Sequence, residues 1–348
     1  MNRRLLIAAI VLLGALSVEA AKPLNVAGVD VDCTKDVTIT ASDIKSGTVT
    51  YTKSTNTLTL TNATITRTGS GDYCIHNRSQ QGLIVKFVGT CKLTAKARVI
   101  RIQCGGSWSD TETVSSAECQ LVASAGSVVT LTSTGDGAIY VRDFSSVLIT
   151  GPGTFNITGN KDGAIAGHGL WNSNISDLAS TDMVKFSNVT ATVTGAQSCL
   201  LGIGARFYSG SDVTLKATNN SSYPIARELH RNNTQLNGNE AILSPWGTQY
   251  SSDNQSFVLS GSNVYNQDIY ICDNYGLLLN EANFPDANFR GAMISLYPKG
   301  YLTKTELQNL TSLVVDNKGI SSLTGVGLLS NLTKLSCTNN QLTSLPTL

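Results

Sequence analysis

A degenerate repeat in the middle of the chain constrains the fold more than any other feature. Six segments share one order: a turn of small residues, an alternating stretch around an aliphatic, a polar break, a Gly- and Asx-rich bend, and a second aliphatic. The two aliphatic columns are Ile65, Leu93, Leu131, Ile157, Val193 and Leu215, and then Ile75, Ile100, Ile139, Ile165, Leu200 and Ile225. Repeats of about 20–40 residues built from short strands are typical of solenoids. We therefore predict a mainly β fold with a right-handed parallel β-helix in residues 21–274.

The first 20 residues have the features of a secretion signal. Asn2-Arg3-Arg4 is a basic start, Leu5 to Leu16 is apolar, and Val18-Glu19-Ala20 resembles a cleavage site. The apolar stretch is shorter than the roughly 20 residues that a membrane-spanning helix needs. We expect the signal to be cleaved, which predicts a secreted or cell-surface protein with no membrane insertion afterwards. An uncleaved anchor is the alternative.

The low charge of the chain limits the classes of molecule that we expect it to bind. Only 14% of the residues are charged and the net charge is +1. Nucleic-acid binding usually shows as a basic stripe, and anionic membranes attract clusters of Lys and Arg. We therefore predict no nucleic-acid partner and expect a glycan or an extracellular protein instead.

The eight cysteines suggest disulfides in an exported chain. Cys104 and Cys119 bracket a segment that interrupts the repeat, and we predict a bond between them. Closing a loop of about 15 residues contributes about 3 kcal/mol in the chain-entropy model. Cys74 and Cys199 precede equivalent aliphatics, where other repeats have Ala, so they are predicted to be buried and not bonded to each other. Cys337 is predicted to be a free buried thiol.

The segments around the repeat have their own patterns. Residues 24–60 alternate like strands and are expected to cover one end of the solenoid. Two polar inserts, Leu170 to Asp182 and Leu229 to Asn254, are predicted to be surface loops. Residues 275–309 lose the alternation and are predicted to form a short helical cap. One helix is expected after Pro285-Asp286, and a second carries a capping box of Thr303 and Glu306.

A second repeat occupies residues 310–348. Leu310, Leu313, Val315, Asn317, Ile320 and Leu323 recur 22 residues later as Leu332, Leu335, Cys337, Asn339, Leu342 and Leu345. This spacing predicts about two leucine-rich repeats, with the second truncated, in which the amide of each Asn binds backbone groups of the turn.

The chain resembles known exported proteins at both ends. Its start resembles a bacterial exported family described as carbohydrate-binding-domain-containing, through Gly28-Val29, Ser46-Gly47-Thr48-Val49, Asn56-Thr57-Leu58-Thr59-Leu60 and Asn62-Ala63. The stretch from Asn280 to Leu345 resembles internalin-type leucine-rich surface proteins. The resemblance implies a non-enzymatic binding or adhesion module. In that family a Ca²⁺-loop-like segment often precedes the second helix, but here residues 296–301 lack carboxylates, so no Ca²⁺ is expected.

Catalysis is the main competing hypothesis, because β-helices also carry polysaccharide lyases and glycoside hydrolases. Gly167-His168-Gly169 matches a hydrolase motif, but the chain contains no Asp-Asp pair for the two carboxylates such hydrolysis needs. Asp72, Asp136 and Asp162 precede the second aliphatic column and form either a partial acidic ladder or simple Asp-Gly bends. We favour bends and predict no catalytic residue, no metal and no cofactor.

Binding is the favoured hypothesis. Trp108, Trp171, Trp246 and Tyr250 all fall in the long inserts, where functional residues concentrate, and exposed aromatics stack on sugar rings. The alternative for each is that it packs onto the strands beneath. We predict an exported adhesion or binding protein for a glycan or host protein. A polysaccharide-degrading enzyme and a structural spacer that presents the leucine-rich repeats are the alternatives.

Overall fold

The computed structural model describes residues 23–78, 80–103, 118–142, 145–161, 163–167, 183–216, 222–229, 234–236, 241–244, 248–254, 256–265, 268–272 and 275–345. Within these ranges the chain is mainly β, and most strands belong to two large sheets in which parallel pairing predominates. No helix in this part of the chain is both long and apolar enough to cross a membrane. The predicted signal, residues 1–20, lies outside the described residues.

The N-terminal strands lie antiparallel against the start of both sheets. They are β1 (Leu24–Val26), β2 (Val29–Val31), β3 (Val37–Thr38) and β4 (Ile44–Thr52). A 3-10 turn at Lys53–Thr55 connects β4 to β5 (Thr57–Arg67), the first strand of the large sheet that pairs in parallel with the repeat. Strand β4 pairs along β5, and β1 pairs with the next strand, β6 (Ile75–Asn77). The first strands of the repeat therefore do not expose unpaired edges.

Each unit of the repeat contributes three strands. The first strands are β7 (Ile84–Val88), β10 (Glu118–Ala123), β13 (Ser146–Thr150), β16 (Met183–Ser187), β19 (Gly204–Phe207) and β22 (Gln235–Leu236). The second strands are β8 (Thr90–Ala95), β11 (Val128–Ser133), β14 (Thr154–Gly159), β17 (Val189–Gly195) and β20 (Ser211–Lys216). The third strands are β6, already given, with β9 (Ile100–Ile102), β12 (Ile139–Val141), β15 (Ile165–Ala166), β18 (Leu200–Leu201) and β21 (Ala226–Arg227).

Strands pair in parallel with strands of the same rank in the neighbouring units. First and second strands belong to one 16-stranded sheet, because the long β5 pairs with β7 through its first half and with β8 through its second half. Strands β3 and β4 and two strands near the end of the repeat complete this sheet. The six third strands form the eight-stranded sheet together with β1 and β2. It is called the narrow sheet below because its strands are only two or three residues long. Each unit therefore crosses from the large sheet to the narrow sheet once.

A left-handed residue marks the bend between the first and second strand of each unit. These residues are Asn62, Gly89, Gly126, Gly151, Asn188 and Gly210. Gly adopts positive φ without steric cost, and Asn does so more readily than other residues with a side chain. The bend residues of the sequence repeat are therefore selected for their backbone conformation.

The strand register confirms most of the predicted aliphatic columns. Residues of the first column face one another from Ile65 to Leu215. The second column is confirmed from Ile75 to Leu200. Its last member is wrong, because Leu200 pairs with Ala226 and not with Ile225. Both positions are buried, so hydrophobicity alone could not distinguish them.

A third column was missed from the sequence. Leu58, Val85, Leu121, Ile149, Phe186 and Phe207 face one another along the first strands, and all are fully buried. The rings of Phe186 and Phe207 stack with centroids 5.3 Å apart. Burying each such side chain contributes about 1.5–3 kcal/mol relative to leaving it exposed. Three columns of buried side chains therefore contribute to the core, and not only the two that the sequence pattern indicates.

Antiparallel strands follow the last units. Strand β27 (Ile269–Cys272) pairs with β20, and β23 (Ala241–Ser244) pairs with β27. Strands β24 (Gln249–Ser251), β25 (Ser256–Leu259) and β26 (Ser262–Asn263) form a small separate sheet. The prediction of a surface loop from Leu229 to Asn254 is therefore wrong in part, since this insert contains β22, β23 and β24. These strands have two to four residues, too few for alternation to be read. The insert from Leu170 to Asp182 lies outside the described residues.

The C-terminal region combines helices with short strands. Its elements are β28 (Tyr275–Leu278), α1 (Ala287–Leu296), β29 (Tyr301–Thr303), α2 (Lys304–Asn309), β30 (Ser312–Val314), a 3-10 turn (Val326–Leu328) and β31 (Lys334–Ser336). Both predicted helix starts are confirmed: Asp286 caps α1, and Thr303 and Glu306 form the capping box of α2. The antiparallel pair of β28 and β29 was missed.

The 22-residue period is confirmed where β30 and β31 pair in parallel, with Leu313 opposite Leu335. The role predicted for Asn317 and Asn339 is wrong. Both adopt positive φ, and the amide of Asn339 donates to Asn317 Oδ1 at 3.0 Å. The next residue, Asn340, makes the backbone contacts instead. Leu345, predicted at a core position, is 73% exposed because no described residue packs over it.

Several cysteines can be placed. Cys74 and Cys199 are buried free thiols that donate to backbone carbonyls, as predicted. Cys337 is also free, but it is only half-buried. Cys119 is buried on β10, whereas Cys104 lies outside the described residues, so their disulfide stays a prediction.

Candidate functional site

The side chains of the four aromatic residues predicted to bind ligand lie outside what the structure describes. Trp108, Trp171 and Trp246 lie outside the described residues, and only the backbone of Tyr250, on β24, is described. In the sequence, the inserts with Trp108 and Trp171 begin just after β9 and β15, which are both strands of the narrow sheet. The outward face of this sheet is therefore the described surface nearest in sequence to those inserts.

The aspartates of the predicted ladder are held by arginines. Asp72 pairs with Arg67 at 2.8 Å and accepts the Gly69 N–H at 3.1 Å. Asp136 pairs with Arg98 at 3.2 Å and accepts the Gly137 N–H. These contacts agree with the interpretation of Asp-Gly bends. Asp162 and His168 lie outside the described residues.

Alternation along the third strands points polar side chains outward on the narrow sheet. Ile75, Ile100 and Ile139 face the interior, so the residues that follow them face outward. Register places His76 opposite Arg101, and Arg101 opposite Tyr140. Directly after the ends of the same three strands come Arg78, Gln103 and Arg142, each two residues beyond the outward residue of its strand. These six half-buried side chains, His76, Arg78, Arg101, Gln103, Tyr140 and Arg142, are called the polar patch.

The dimensions of the polar patch follow from strand geometry. Neighbouring strands lie about 4.8 Å apart, and residues two apart on one strand are separated by about 7 Å. Three strands and two rows therefore cover about 10 by 7 Å. A surface of this size accommodates a short stretch of a polymer but not a large folded partner.

Arg101 occupies the centre of the polar patch with only neutral hydrogen-bond partners. Its Nη1 donates to the Tyr73 hydroxyl at 2.8 Å, and its Nη2 donates to Gln103 Oε1 at 2.8 Å. The guanidinium also lies 5.4 Å from the centroid of the Tyr73 ring. No carboxylate among the described residues pairs with it. These two hydrogen bonds fix the orientation of the planar guanidinium, but they leave its positive charge without a negatively charged partner.

Tyr140 is covered by a second arginine. The Arg98 guanidinium lies 3.8 Å from the centroid of the Tyr140 ring, while Arg98 also pairs with Asp136. At the other edge of the patch, Arg78 pairs with Asp30 at 3.0 Å. Arginines at both edges thus have carboxylate partners, unlike Arg101 between them.

His76 is uncharged at neutral pH. Burial lowers its pKa to about 4 by disfavouring the imidazolium, and the positive charges of Arg101 and Arg78 lower it further. Its ring lies 4.9 Å from that of Tyr73, and its Nε2 is buried without a hydrogen-bond partner. The positive charge of the patch therefore comes from its arginines.

One positive charge of the patch has no carboxylate partner among the described residues. Arg78 pairs with Asp30 and Arg98 pairs with Asp136, whereas Arg101 pairs with neither, although the net charge of the whole chain is only +1. Among the described residues, no group of three His, Cys, Asp or Glu side chains is arranged to hold a metal ion.

The outward face of the large sheet has a more uniform composition than the polar patch. On the second strands of the large sheet, Thr66, Thr94, Thr132, Thr158 and Thr194 face one another in one uninterrupted column. Threonine suits a pleated, half-buried surface, and Thr–Thr pairs across strands stabilise sheets. The stability of the sheet alone explains why this column contains only threonine. It does not explain the mixed composition of the polar patch.

Comparisons with models of known protein families, with curated proteins and with solved structures give no match to this chain.

Sequence reasoning missed the polar patch because its residues lie far apart along the chain. Each third strand contributes only one or two outward residues, and the intervals between them vary. One signal was available: the residue after each aliphatic of the second column points outward. Arranging those residues in register would have placed His76, Arg101 and Tyr140 side by side.

Proposed function

We propose that this protein is an exported, non-enzymatic adhesion or binding protein that recognises glycans through the polar patch. The patch carries the proposal, because it combines hydrogen-bond donors with aromatic rings on a rigid sheet. Sugars are bound by such combinations, in which polar groups contact hydroxyls and rings contact the apolar faces of the sugar. The resemblance of the chain start to carbohydrate-binding proteins agrees with this function.

The proposed architecture is a right-handed parallel β-helix. Three strands per unit, each pairing in parallel with its counterpart in the next unit, support this assignment. A solenoid suits a binding role because it presents a long, regular surface whose residues are fixed by the backbone of several units.

The proposed C-terminal part is a short helical cap with about two leucine-rich repeats. The 22-residue offset between Leu313 and Leu335 supports it, and so does the position of Asn340. The side chain of Asn340 donates to the carbonyls of Val315 and Cys337 and accepts from the N–H groups of Lys318 and Ile320. One amide thus joins two consecutive turns, which is the task of the asparagine in such repeats.

Export is proposed from the basic start, the apolar stretch and the small-residue site in residues 1–20. The mature chain would begin near Ala21. Its compartment is tested by fractionating cells that produce the full chain and by determining the N-terminus of the exported form.

The binding function is tested with a polysaccharide array probed with residues 21–348. Retention of the chain and release of reducing or unsaturated sugar ends are measured together. The proposal predicts retention without release, weakened in Tyr73→Ala and Arg101→Gln. Sugar release would instead make the protein a lyase or hydrolase. If neither occurs, a protein ligand or a spacer role replaces this proposal.

A further inference from the structure

We infer that the polar patch selects anionic polysaccharides, whose sugars carry carboxylate or sulfate groups, over neutral ones. This inference rests on the proposed glycan-binding function and names the class of ligand. It is carried by the arrangement of charges along the narrow sheet.

The ion pairs along the narrow sheet leave Arg101 as an exception. Arg78 and Arg98 stand at opposite edges of the patch and each has an aspartate partner within 3.2 Å. Arg101, on the strand between β6 and β12, pairs with no carboxylate among the described residues. An anionic group of a ligand would give Arg101 the negatively charged partner that Asp30 gives to Arg78 and Asp136 gives to Arg98.

Two neighbouring side chains fix the orientation of Arg101. Its two terminal nitrogens each donate one hydrogen bond, to Tyr73 and to Gln103, so the guanidinium uses two of its five N–H groups. Arginine binds carboxylates and sulfates through such donors with charge-assisted hydrogen bonds, about twice as strong as neutral ones. Because Tyr73 and Gln103 hold the group in place, little conformational entropy is lost when a ligand binds.

An acidic polysaccharide can bring a negative group to Arg101 in many positions. Neighbouring strands of the narrow sheet lie about 4.8 Å apart. A polysaccharide with an acidic group on every sugar presents negative charge repeatedly along one chain, so one of these groups can reach Arg101 wherever the polymer lies across these strands. A neutral glycan would leave the charge of Arg101 buried under the ligand without compensation, which opposes binding.

The inference is tested by calorimetric titration of residues 21–348 with polygalacturonate and with its fully methyl-esterified form. The two polymers differ in charge but share the same backbone. We expect binding to the acid and at least about tenfold weaker binding to the ester, with affinity falling as salt is raised. Dextran sulfate and neutral dextran form a second pair, which tells sulfate recognition from carboxylate recognition.

Substitutions of single arginines test which of them contacts the polysaccharide. Arg101→Gln should weaken polygalacturonate binding by about tenfold or more, since one charge-assisted contact is lost. Arg206→Gln removes an arginine from β19 on the large sheet and should leave the affinity unchanged. Arg101→Lys keeps the charge but loses the fork, and we expect an intermediate affinity. Circular dichroism confirms that each variant is folded.

Two outcomes would overturn the inference. Equal binding of the acid and the ester would leave the glycan-binding function standing but remove the selection for charge. Equally tight binding of single-stranded DNA would show a general affinity for polyanions and not glycan recognition. If no polysaccharide of either pair binds, and the neutral members of the array also fail, the proposed function itself is wrong.

Discussion

Asp286 accepts hydrogen bonds from two parts of the chain that are distant in sequence. Its Oδ1 caps α1 by accepting the Phe289 N–H at 2.8 Å. Its Oδ2 accepts from the N–H and hydroxyl of Ser321 and from the N–H of Ser322. Partial burial acts to raise its pKa, but these hydrogen bonds outweigh that effect and lower the pKa to about 2. One carboxylate thus fastens α1 to the repeat that follows it.

Replacing Asp286 by Asn should destabilise the C-terminal region in a pH-dependent way. An amide cannot serve all four donors, so we expect a loss of about 1–3 kcal/mol at pH 7. The carboxylate stabilises fully above its ordinary pKa of 3.8, and this contribution is lost as the pH falls toward about 2. Urea unfolding between pH 7 and pH 2 should show the two proteins converging at acidic pH. A difference that stays constant over this range would contradict the assignment.

Asn340 offers a second test at the scale of one residue. Asn340→Ala should cost about 2–3 kcal/mol, since it leaves the carbonyls of Val315 and Cys337 and two N–H groups without their partner. Asn339→Gly is the control. It keeps the positive φ and removes only the bond to Asn317, so its unfolding free energy should change by less than about 0.5 kcal/mol. Equal effects of the two substitutions would refute the role given to Asn340.

At the scale of the element, the unit of three strands was only partly predictable. Two aliphatic columns could be predicted from the sequence, because a bend rich in Gly and Asx separates them by a similar number of residues in each repeat. The third column, with Val85 and Phe186, was not, because inserts of different length separate it from the preceding strand. The asparagine of the second repeat was misplaced by one residue, since Asn339 and Asn340 are adjacent and identical.

The bends between first and second strands provide a matched pair of substitutions. Gly89 and Gly126 have nearly the same φ, +72° and +71°. A Cβ at Gly126 would meet nothing within 4 Å, whereas one at Gly89 would collide with the side chain of Asn62. Gly126→Ala should therefore cost about 1–2 kcal/mol of backbone strain. Gly89→Ala should cost more, because it also displaces the Asn62 oxygen that accepts the Thr90 N–H.

Urea unfolding of both variants measures this difference directly. Gly126→Asn should be nearly neutral, because Asn62 and Asn188 occupy the equivalent position in other units. If Gly126→Ala lowers the free energy of unfolding as much as Gly89→Ala does, contact with Asn62 does not contribute to the stability of the bend.

At the scale of the whole molecule, Asp212 joins the large sheet to the C-terminal region. It lies on β20, where it pairs with Lys299 at 3.0 Å and accepts the Tyr301 hydroxyl at 3.2 Å. Tyr301 is fully buried and packs with Cys272. This junction was not predictable, because the residues lie almost 90 positions apart and share no motif.

Asp212→Asn should loosen this junction without unfolding either side. The ion pair with the partly exposed Lys299 is lost, so we expect hydrogen exchange in β28 and β29 to rise by less than about tenfold. Asp43→Asn removes a pair with Arg67 at the opposite end of the sheet and should leave this exchange unchanged. Similar exchange in all three proteins would show that apolar contacts alone hold the junction.

The polar patch also belongs to the whole molecule, since it exists only when β6, β9 and β12 lie side by side. The measurement that tests it most directly is hydroxyl-radical footprinting of residues 21–348 with and without polygalacturonate. We expect the ligand to protect Tyr73, His76 and Tyr140 from oxidation and to leave Tyr265, which is 39% exposed, unchanged. Unchanged oxidation of those three residues in the bound protein would contradict the account.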